Sequence, residues 1–536
     1  MKELNLPLMF DKYVPNSNGS EIDPSQVLCM MIANIMTASN PLYRVEDWLH
    51  DFTDGLSEEH IESAKYNDDR LGRCLDYLFN ADRASFMAEL SVNAIQRHKL
   101  ETKEIHNDST TVTFPGEYAI EDPEAAKITY GYNKDYRPDC KQLVFGLNIT
   151  GDGHVPVSYQ LYDGNQADVS THTANWEQLR TILGKEDFIY IADSKLCSIE
   201  NLATIAENNG QFITIVPRNF SEIQGFLESV REGVEVEWQH EYKTPDSRKK
   251  GATQDYLIHV GEDLKDKYRV LWVHSKAKET LEYKSRENRI TKAEEELKAL
   301  SGRLNRYKLK THEQIESALK KVQKGLGSYL TVIIHKKTDI EKVQIGRGKP
   351  NVNTKYKDNK VVTYEIEWER DENEIYKSQR VDGFFPLVDN TTLDPVEVLK
   401  TYKNQPYIEK RFSTKKSVLK VAPVFLKTPR RIEAMMFLYF IALMLVSLIE
   451  RKIRAEMKEQ QIDSLPIGPA RMGKKKPTWR TIMDTFEKIH LATIEQYGQV
   501  INISLKGLDK LRKQVLSLLD VPIIIYSELQ DEWWIF

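Results

Sequence analysis

Residues 188–193 read Phe-Ile-Tyr-Ile-Ala-Asp, five apolar or aromatic residues closed by a carboxylate. A short run with no polar alternation predicts a strand covered on both faces, as in sheets with helices above and below. Downstream, Ser198 can cap a helix that Gly210 ends, and Phe212 to Val216 is a second buried strand. Upstream, Ile105 to Phe114, Leu143 to Ile149 and Val155 to Leu161 are strand candidates, the last two joined by a Gly-rich hairpin connection at Thr150 to His154. A helix is expected over about Thr171 to Leu183. The order β-β-β-α-β-α-β describes an α/β fold, a mixed sheet flanked by helices.

The chain has 536 residues and a net charge of −5, enough for two to four domains. Its four cysteines, Cys29, Cys74, Cys140 and Cys197, are scattered without a CxxC pair, which suggests neither zinc nor disulfides. With a start (MKELNLPLMF) that lacks a secretory pattern, a cytoplasmic, nucleoid-associated protein is expected. The uncharged run Ala434 to Ile449 falls short of the roughly 20 residues of a membrane span, and reads as a buried core helix rather than a membrane contact. Charge is segregated: residues 1–100 hold nine Lys or Arg against sixteen Asp or Glu, whereas residues 401–480 hold eighteen against six. A local cation field of that size suits a polyanion, with nucleic acid the leading candidate.

Five segments follow from these patterns: a helical N-terminal domain (1–100, for end recognition or dimerisation), the first part of a core (101–217), a β-rich insertion with a charged helical stretch (218–390), the rest of the core (391–460) and a basic, helical C-terminal region (461–536). Within the insertion, Val234 to Trp238, Tyr268 to Val273 and Tyr364 to Trp368 look strand-like, and Ala277 to Gly325 is charged and helical. Gly346-Arg-Gly-Lys-Pro lacks the full phosphate-loop frame and reads as a basic surface loop. Asp394-Pro395 is a helix start, and Pro406 is expected to break the helix that follows.

Tyr402, Gln405, Glu409 and Lys416 recur at offsets that would share one face of an unbroken helix, although Pro406 leaves that face secure only for Glu409 and Lys416. Asp108 lies inside the first strand and Asp193 ends the buried one, where a charged group is costly unless paired or bound to metal. If those strands are neighbours, both carboxylates reach one sheet edge and the helix of Glu409 could close the site. Three carboxylates around one point call for hard divalent cations, Mg²⁺ or Mn²⁺, suited to phosphodiester chemistry. By spacing alone, Asp135, Asp139, Asp152, Asp163 and Asp168 compete for these roles.

The ordered motifs HNDSTTVTF, GYNKDYRPDCKQLVFGLNITGDGHVPVSYQLYDGNQAD, YIADSKLCS, DGFFPLVDN and YKNQPYIEKRFSTKKS resemble the catalytic core of bacterial insertion-sequence DDE transposases, closest to the IS-four superfamily with its Tyr-x2-Arg-x3-Glu-x6-Lys signature. The resemblance covers roughly residues 100–455 and implies an RNase H-like fold whose β-rich insertion precedes the glutamate helix. It implies Asp108, Asp193 and Glu409 as metal-binding catalytic residues, with Mg²⁺ as cofactor and Mn²⁺ as substitute. Tyr402 and Lys416 match positions that handle DNA, with Lys415 beside them. Gln405 replaces the signature arginine, and Lys403 or Arg411 could substitute for it. The implied activity is hydrolysis at terminal inverted repeats followed by strand transfer into target DNA, by a homodimer on paired ends. The alternative is a DNA-binding protein of transposase descent without catalysis, a repressor or architectural factor.

Three further readings concern single residues. His106 shares the strand face of Asp108 and is either a ligand or an ordinary hydrogen-bonded histidine. Trp238, Trp272 and Trp368 are core residues or, as in relatives, a base-stacking aromatic. Gly473 to Arg480 is a basic loop with an interleaved Trp479, fit for phosphates or for plain solvation.

Overall fold

The computed structural model describes residues 1–15, 21–51, 62–166, 171–245, 251–324, 326, 328–350, 353–421, 426–496 and 499–526. Asp168 and Gly325 lie outside the described residues. Two compact units emerge, one of residues 1–214, 389–393 and 397–536, the other of residues 215–388 and 394–396.

The sheet of the first unit is built from β1 (Glu104–Phe114), β2 (Lys141–Thr150), β3 (Pro156–Tyr162), β4 (Ile189–Ile191) and β5 (Gln211–Ile215). Their order is β3-β2-β1-β4-β5, with β2 antiparallel to its neighbours and β4 and β5 parallel to β1. This is the mixed, RNase H-like sheet the sequence suggested. Helices α1 (Leu6–Tyr13), α2 (Pro24–Thr37), α3 (Val45–Asp51), α4 (Asp68–Asn80) and α5 (Arg83–His98) precede the sheet, and α6 (His172–Leu183) and α7 (Ile199–Glu207) connect its strands. Ser198 accepts a hydrogen bond from the Asn201 amide (3.2 Å) and so caps α7 as expected. A buried polar chain fixes the sheet's register: Asn148 on β2 donates to Ser158 on β3 and to Asn175 on α6, which in turn donates to Tyr190 on β4.

In the second unit, α8 (Ser221–Arg231) leads into the antiparallel strands β6 (His240–Pro245), β7 (Thr253–Val260) and β8 (Arg269–Ser275). Then come α9 (Lys276–Ser301), α10 (His312–Val322), the long hairpin β9 (Leu330–Gln344) and β10 (Tyr356–Arg370), α11 (Glu372–Gln379) and β11 (Phe384–Asp389). Ile290, Leu297, Ile315 and Leu319 of α9 and α10 pack on Tyr364 and Ile366 at the base of the hairpin. The expected strand Val234 to Trp238 does not form; pairing starts at His240, and the Val234 carbonyl accepts from the Arg380 guanidinium instead of from a neighbouring strand. Trp272 stacks on Phe226 (4.0 Å), Trp238 lies against His274 and Phe384, and Trp368 joins the hairpin core. Trp272 is therefore a core residue, while Trp238 and Trp368 are half-buried against these partners.

Returning to the first unit, α12 (Pro395–Tyr402) and α13 (Pro406–Ser413) are separate helices, broken before Pro406 as its missing N–H requires. A π-turn at Thr414–Val418 follows, then α14 (Pro429–Glu459). This is the one helix, among the described residues, long and apolar enough to cross a membrane, yet its apolar window is 89% buried. α2 and α4 cover it on one side and β3 on another, so helices of the 1–100 segment share one core with the sheet rather than folding around a core of their own. The C-terminal part, expected to be helical, also contains the hairpin β12 (His490–Gln496) and β13 (Gln499–Lys506) between α15 (Trp479–Phe486) and α16 (Lys510–Leu518).

Glu450 ends the apolar stretch of α14 and is buried, which would be costly without partners. It accepts from Arg411 of α13 (2.7 Å), from Arg454 (3.1 Å) and from the Trp479 amide (2.8 Å). Glu450→Ala strands the equally buried Arg411 and should lower stability by about 3–5 kcal/mol, read from the urea midpoint. Removing the exposed Lys475–Asp463 pair by Lys475→Ala should change it by less than about 0.5 kcal/mol. Equal effects of the two substitutions would refute the anchoring role.

Candidate active site

β1 and β4 run parallel, with Ile105 opposite Tyr190 and His106 opposite Ile191. Asp108, inside β1, and Asp193, just past the end of β4, each lie two residues beyond that last pair, and both are near enough to Tyr402 to act on its phenol. Asp193 is fixed by the chain around it: its carbonyl accepts from Thr214 (2.7 Å), and its carboxylate accepts from the Lys195 amide (2.9 Å). Asp108 is a fifth exposed, and the Lys134 ammonium sits 3.7 Å from it while donating to the Ser109 carbonyl and hydroxyl. Tyr402 lies close enough to feel both aspartates; burial first, then their charges, push its phenol well above the usual range. It stays protonated, a hydrogen-bond donor beside two carboxylates.

The chain from α12 to α13 is laid along β1. Thr401 donates to Glu104 (3.0 Å), and four residues on, Gln405 meets His106 (3.0 Å) and donates to the Asn107 carbonyl (2.7 Å). Between these two contacts the chain leaves α12 at Tyr402, turns through Lys403 to Gln405 and enters α13 at Pro406, so the break itself is tied to β1 at Glu104, His106 and Asn107. Glu409 follows on α13, one turn beyond Gln405. Glu409 is exposed on α13, and Lys416, in the π-turn, pairs with Asp135 at 2.7 and 2.9 Å.

Three residues expected on DNA are placed otherwise. The Gln405 amide is occupied by β1. Arg411 is buried, donating to the Gly153 and His154 carbonyls as well as to Glu450. Lys415 is 0% exposed, its ammonium position 3.1 Å from the centre of the Phe145 ring, and burial drives its pKa far down. Helical spacing cannot tell which cation of a basic run turns inward, and neither Arg411 nor Lys415 can meet a phosphate from these positions. Lys403 is half-buried. Trp479 is likewise a core residue, donating from its indole to Met36. Two residues that spacing did not single out stand at the site: Lys134, and Tyr407, whose ring stacks on His154 (4.0 Å) with Lys410 4.2 Å and Lys476 5.9 Å from its centre.

The Asn107 carbonyl can only accept, so it orients the Gln405 amide and leaves its oxygen for His106 Nδ1–H; His106 is the neutral Nδ1 tautomer. Burial pushes its pKa down to about 4, and His154 is held down at about 3 by burial and by nearby Arg411. His106 is thus the hydrogen-bonded histidine of the two readings. Among the described residues, no three His, Cys, Asp or Glu side chains converge closely enough to hold a metal ion.

Because the folded pKa values lie below the ordinary value of about 6.5, the unfolded chain binds protons first. These histidines' contribution is complete above pH about 6.5 and is lost as pH falls toward their folded values of about 4 and 3. His106→Gln should flatten the fall in urea midpoint between about pH 6.5 and 4; an unchanged slope would remove His106 from that account.

Residues 1–92 match a domain of unknown function (DUF4277), and residues 101–445 match the transposase DDE domain. No curated protein matches the chain. Among solved structures, it is similar to a piggyBac transposase synaptic complex with hairpin DNA, at 14% identity and TM-score 0.28 over 48% of this chain and 54% of that one. It is similar also to a Mos1 transposase paired-end complex with left transposon end, at 9% identity and TM-score 0.15 over 40% of this chain and 65% of that one. The chain thus spans less than two thirds of the length of either. With well over half its residues matched, the chain belongs to the transposase DDE domain family.

Proposed function

We propose that the chain is a DNA transposase that hydrolyses a phosphodiester at the terminal inverted repeats of its element and joins the freed 3′-hydroxyl to target DNA. Asp108, Asp193 and Glu409 are its catalytic carboxylates. The observation that supports this reading is the parallel pairing of β1 with β4, which has Asp108 and Asp193 each two residues beyond His106 and Ile191, together with the hydrogen bonds that tie the start of the Glu409 helix to β1. Homodimeric action on paired ends is part of the proposal.

The donor set is all carboxylate oxygen, chemistry that suits Mg²⁺ with Mn²⁺ as substitute; Asp108, Asp193 and Glu409 would hold it by drawing closer than they stand in this structure. When bound, such ions supply an activated nucleophile and stabilise the leaving oxygen of an in-line displacement. The protein's own groups do the rest. Tyr402, kept protonated by its surroundings, donates to a phosphate oxygen. Lys134 offsets the charge of Asp108 and is displaced or shared when the carboxylate changes partner. Lys410, Lys476 and Lys416 hold the DNA backbone near the scissile bond, with Lys403 behind them. Gln405 is a positioning residue: its two hydrogen bonds hold the start of α13, and with it Glu409, against β1.

Strand nicking of element-end DNA in Mg²⁺ should fall on the order of 10³-fold or more in Asp108→Asn, Asp193→Asn and Glu409→Gln. Undiminished cleavage by Asp193→Asn would sink the assignment, and end binding without cleavage by the wild type in either metal would favour the non-catalytic alternative. Gln405→Ala should slow cleavage on the order of 10²-fold while leaving DNA affinity within about twofold. Parallel loss of affinity would mean that Gln405 touches DNA.

A further inference from the structure

The β9–β10 hairpin extends well past the core that packs its base. Val332, Ile334, Tyr364, Ile366 and Trp368 are the last residues held by α9 and α10; beyond them the strands stay paired from Thr338 opposite Val362 to Gln344 opposite Tyr356. Residues 337–343 and 356–360 are exposed on both faces of the ribbon. Seven paired residues at about 3.4 Å each give it some 20 Å of reach, more than half a turn of duplex DNA.

Charge divides along its length. Residues 336–360 hold eight Lys or Arg against three Asp or Glu, a net +5, whereas residues 361–370 hold one Arg against three Glu. Of those eight cations only Lys337, paired with Glu365, is within ion-pair distance of a carboxylate among the described residues. Alternation puts Lys342 and Lys360 on one face and Lys337 and Lys357 on the other, so neither face is reserved for packing on protein. At the tip, Gly346 and Gly348 adopt φ of 106° and 139°, and the Gln344 amide donates to the Gly348 carbonyl (3.0 Å). That tight turn presents Arg347 and Lys349 without bulk around them.

We infer that this ribbon is a DNA-binding arm that enters a groove of duplex DNA, with Arg347 and Lys349 leading and the strand lysines on phosphates. The inference rests on the proposed function and adds a place on the second unit where duplex is gripped. A two-stranded ribbon is of the size a major groove admits, and a groove offers phosphates on both sides, matching cations on both faces. A second copy of the chain is a poorer occupant, because two ribbons of net +5 repel.

The test uses the full chain and a random-sequence duplex of about 40 bp, with affinity measured against salt concentration. In one variant residues 339–361 are replaced by Asn-Gly, which joins the register partners Thr338 and Val362 and leaves the packed base intact. A second carries Arg347→Ala, Lys349→Ala, Lys355→Ala and Lys357→Ala. The expected result is weaker binding by both, with the log–log salt slope reduced by up to about 3.6 in the second, 0.9 for each lost phosphate contact. Wild-type slopes in both variants would overturn the arm while leaving the proposed function standing. A wild-type chain that binds no duplex would overturn both readings. A change of oligomeric state at unchanged slope would assign the ribbon to self-association and overturn the inference.

Discussion

Sixteen consecutive uncharged residues in α14 must be kept from water, and the rest of the first unit is arranged to do so. A helix apolar on every side cannot lie on a surface; it needs cover all round. The N-terminal helices supply one side and β3 another, which is why a segment so acidic and so far away in sequence is built into the same core. Where the apolar run ends, Glu450 goes inside with it and is tolerated only because a guanidinium and a backbone amide reach it. The guanidinium belongs to α13. Burying the core helix and seating the helix of Glu409 are therefore one requirement.

The same economy redistributes charge. In sequence, residues 401–480 are strongly basic and residues 1–100 acidic, and the simplest expectation is a positive face for a polyanion. In the fold, Arg431 pairs with Asp76, Arg430 with Asp122 and Glu124, and Arg451 with Asp152, while Arg411 and Lys415 are buried. Much of the excess is internal cement. What remains outward near the carboxylates is a small group around Tyr407, and a separate set of cations stands on the β9–β10 ribbon of the other unit.

What was legible in the sequence is what short-range rules control. The apolar run at 188–193, the cap at Ser198 and the hairpin after Thr150 each depend on a few neighbouring residues, and each formed. The break before Pro406 was equally readable, since it follows from a missing N–H. Asp108 and Asp193 could be proposed as neighbours but not paired, because register is a property of two strands. Gln405, Arg411 and Lys415 were misread for one reason. Spacing shows that residues share a helix, whereas their roles were set by what lay opposite: the Asn107 carbonyl, Glu450 and the Phe145 ring. Val234 to Trp238 had the composition of a strand and no partner strand to make it one.

The π-turn at Thr414–Val418, with its Leu419 amide donating five residues back to Thr414, widens the helix by one residue between Glu409 and Lys416. Such a turn is a slack loop in an otherwise tight coil. On its N-terminal side the chain is tied down by the hydrogen bonds of Gln405 to β1 and of Arg411 to Glu450. The segment before Glu409 is thus held to the sheet at Thr401 and Gln405, whereas the segment after it carries the extra residue of a wider turn on its way to Lys416.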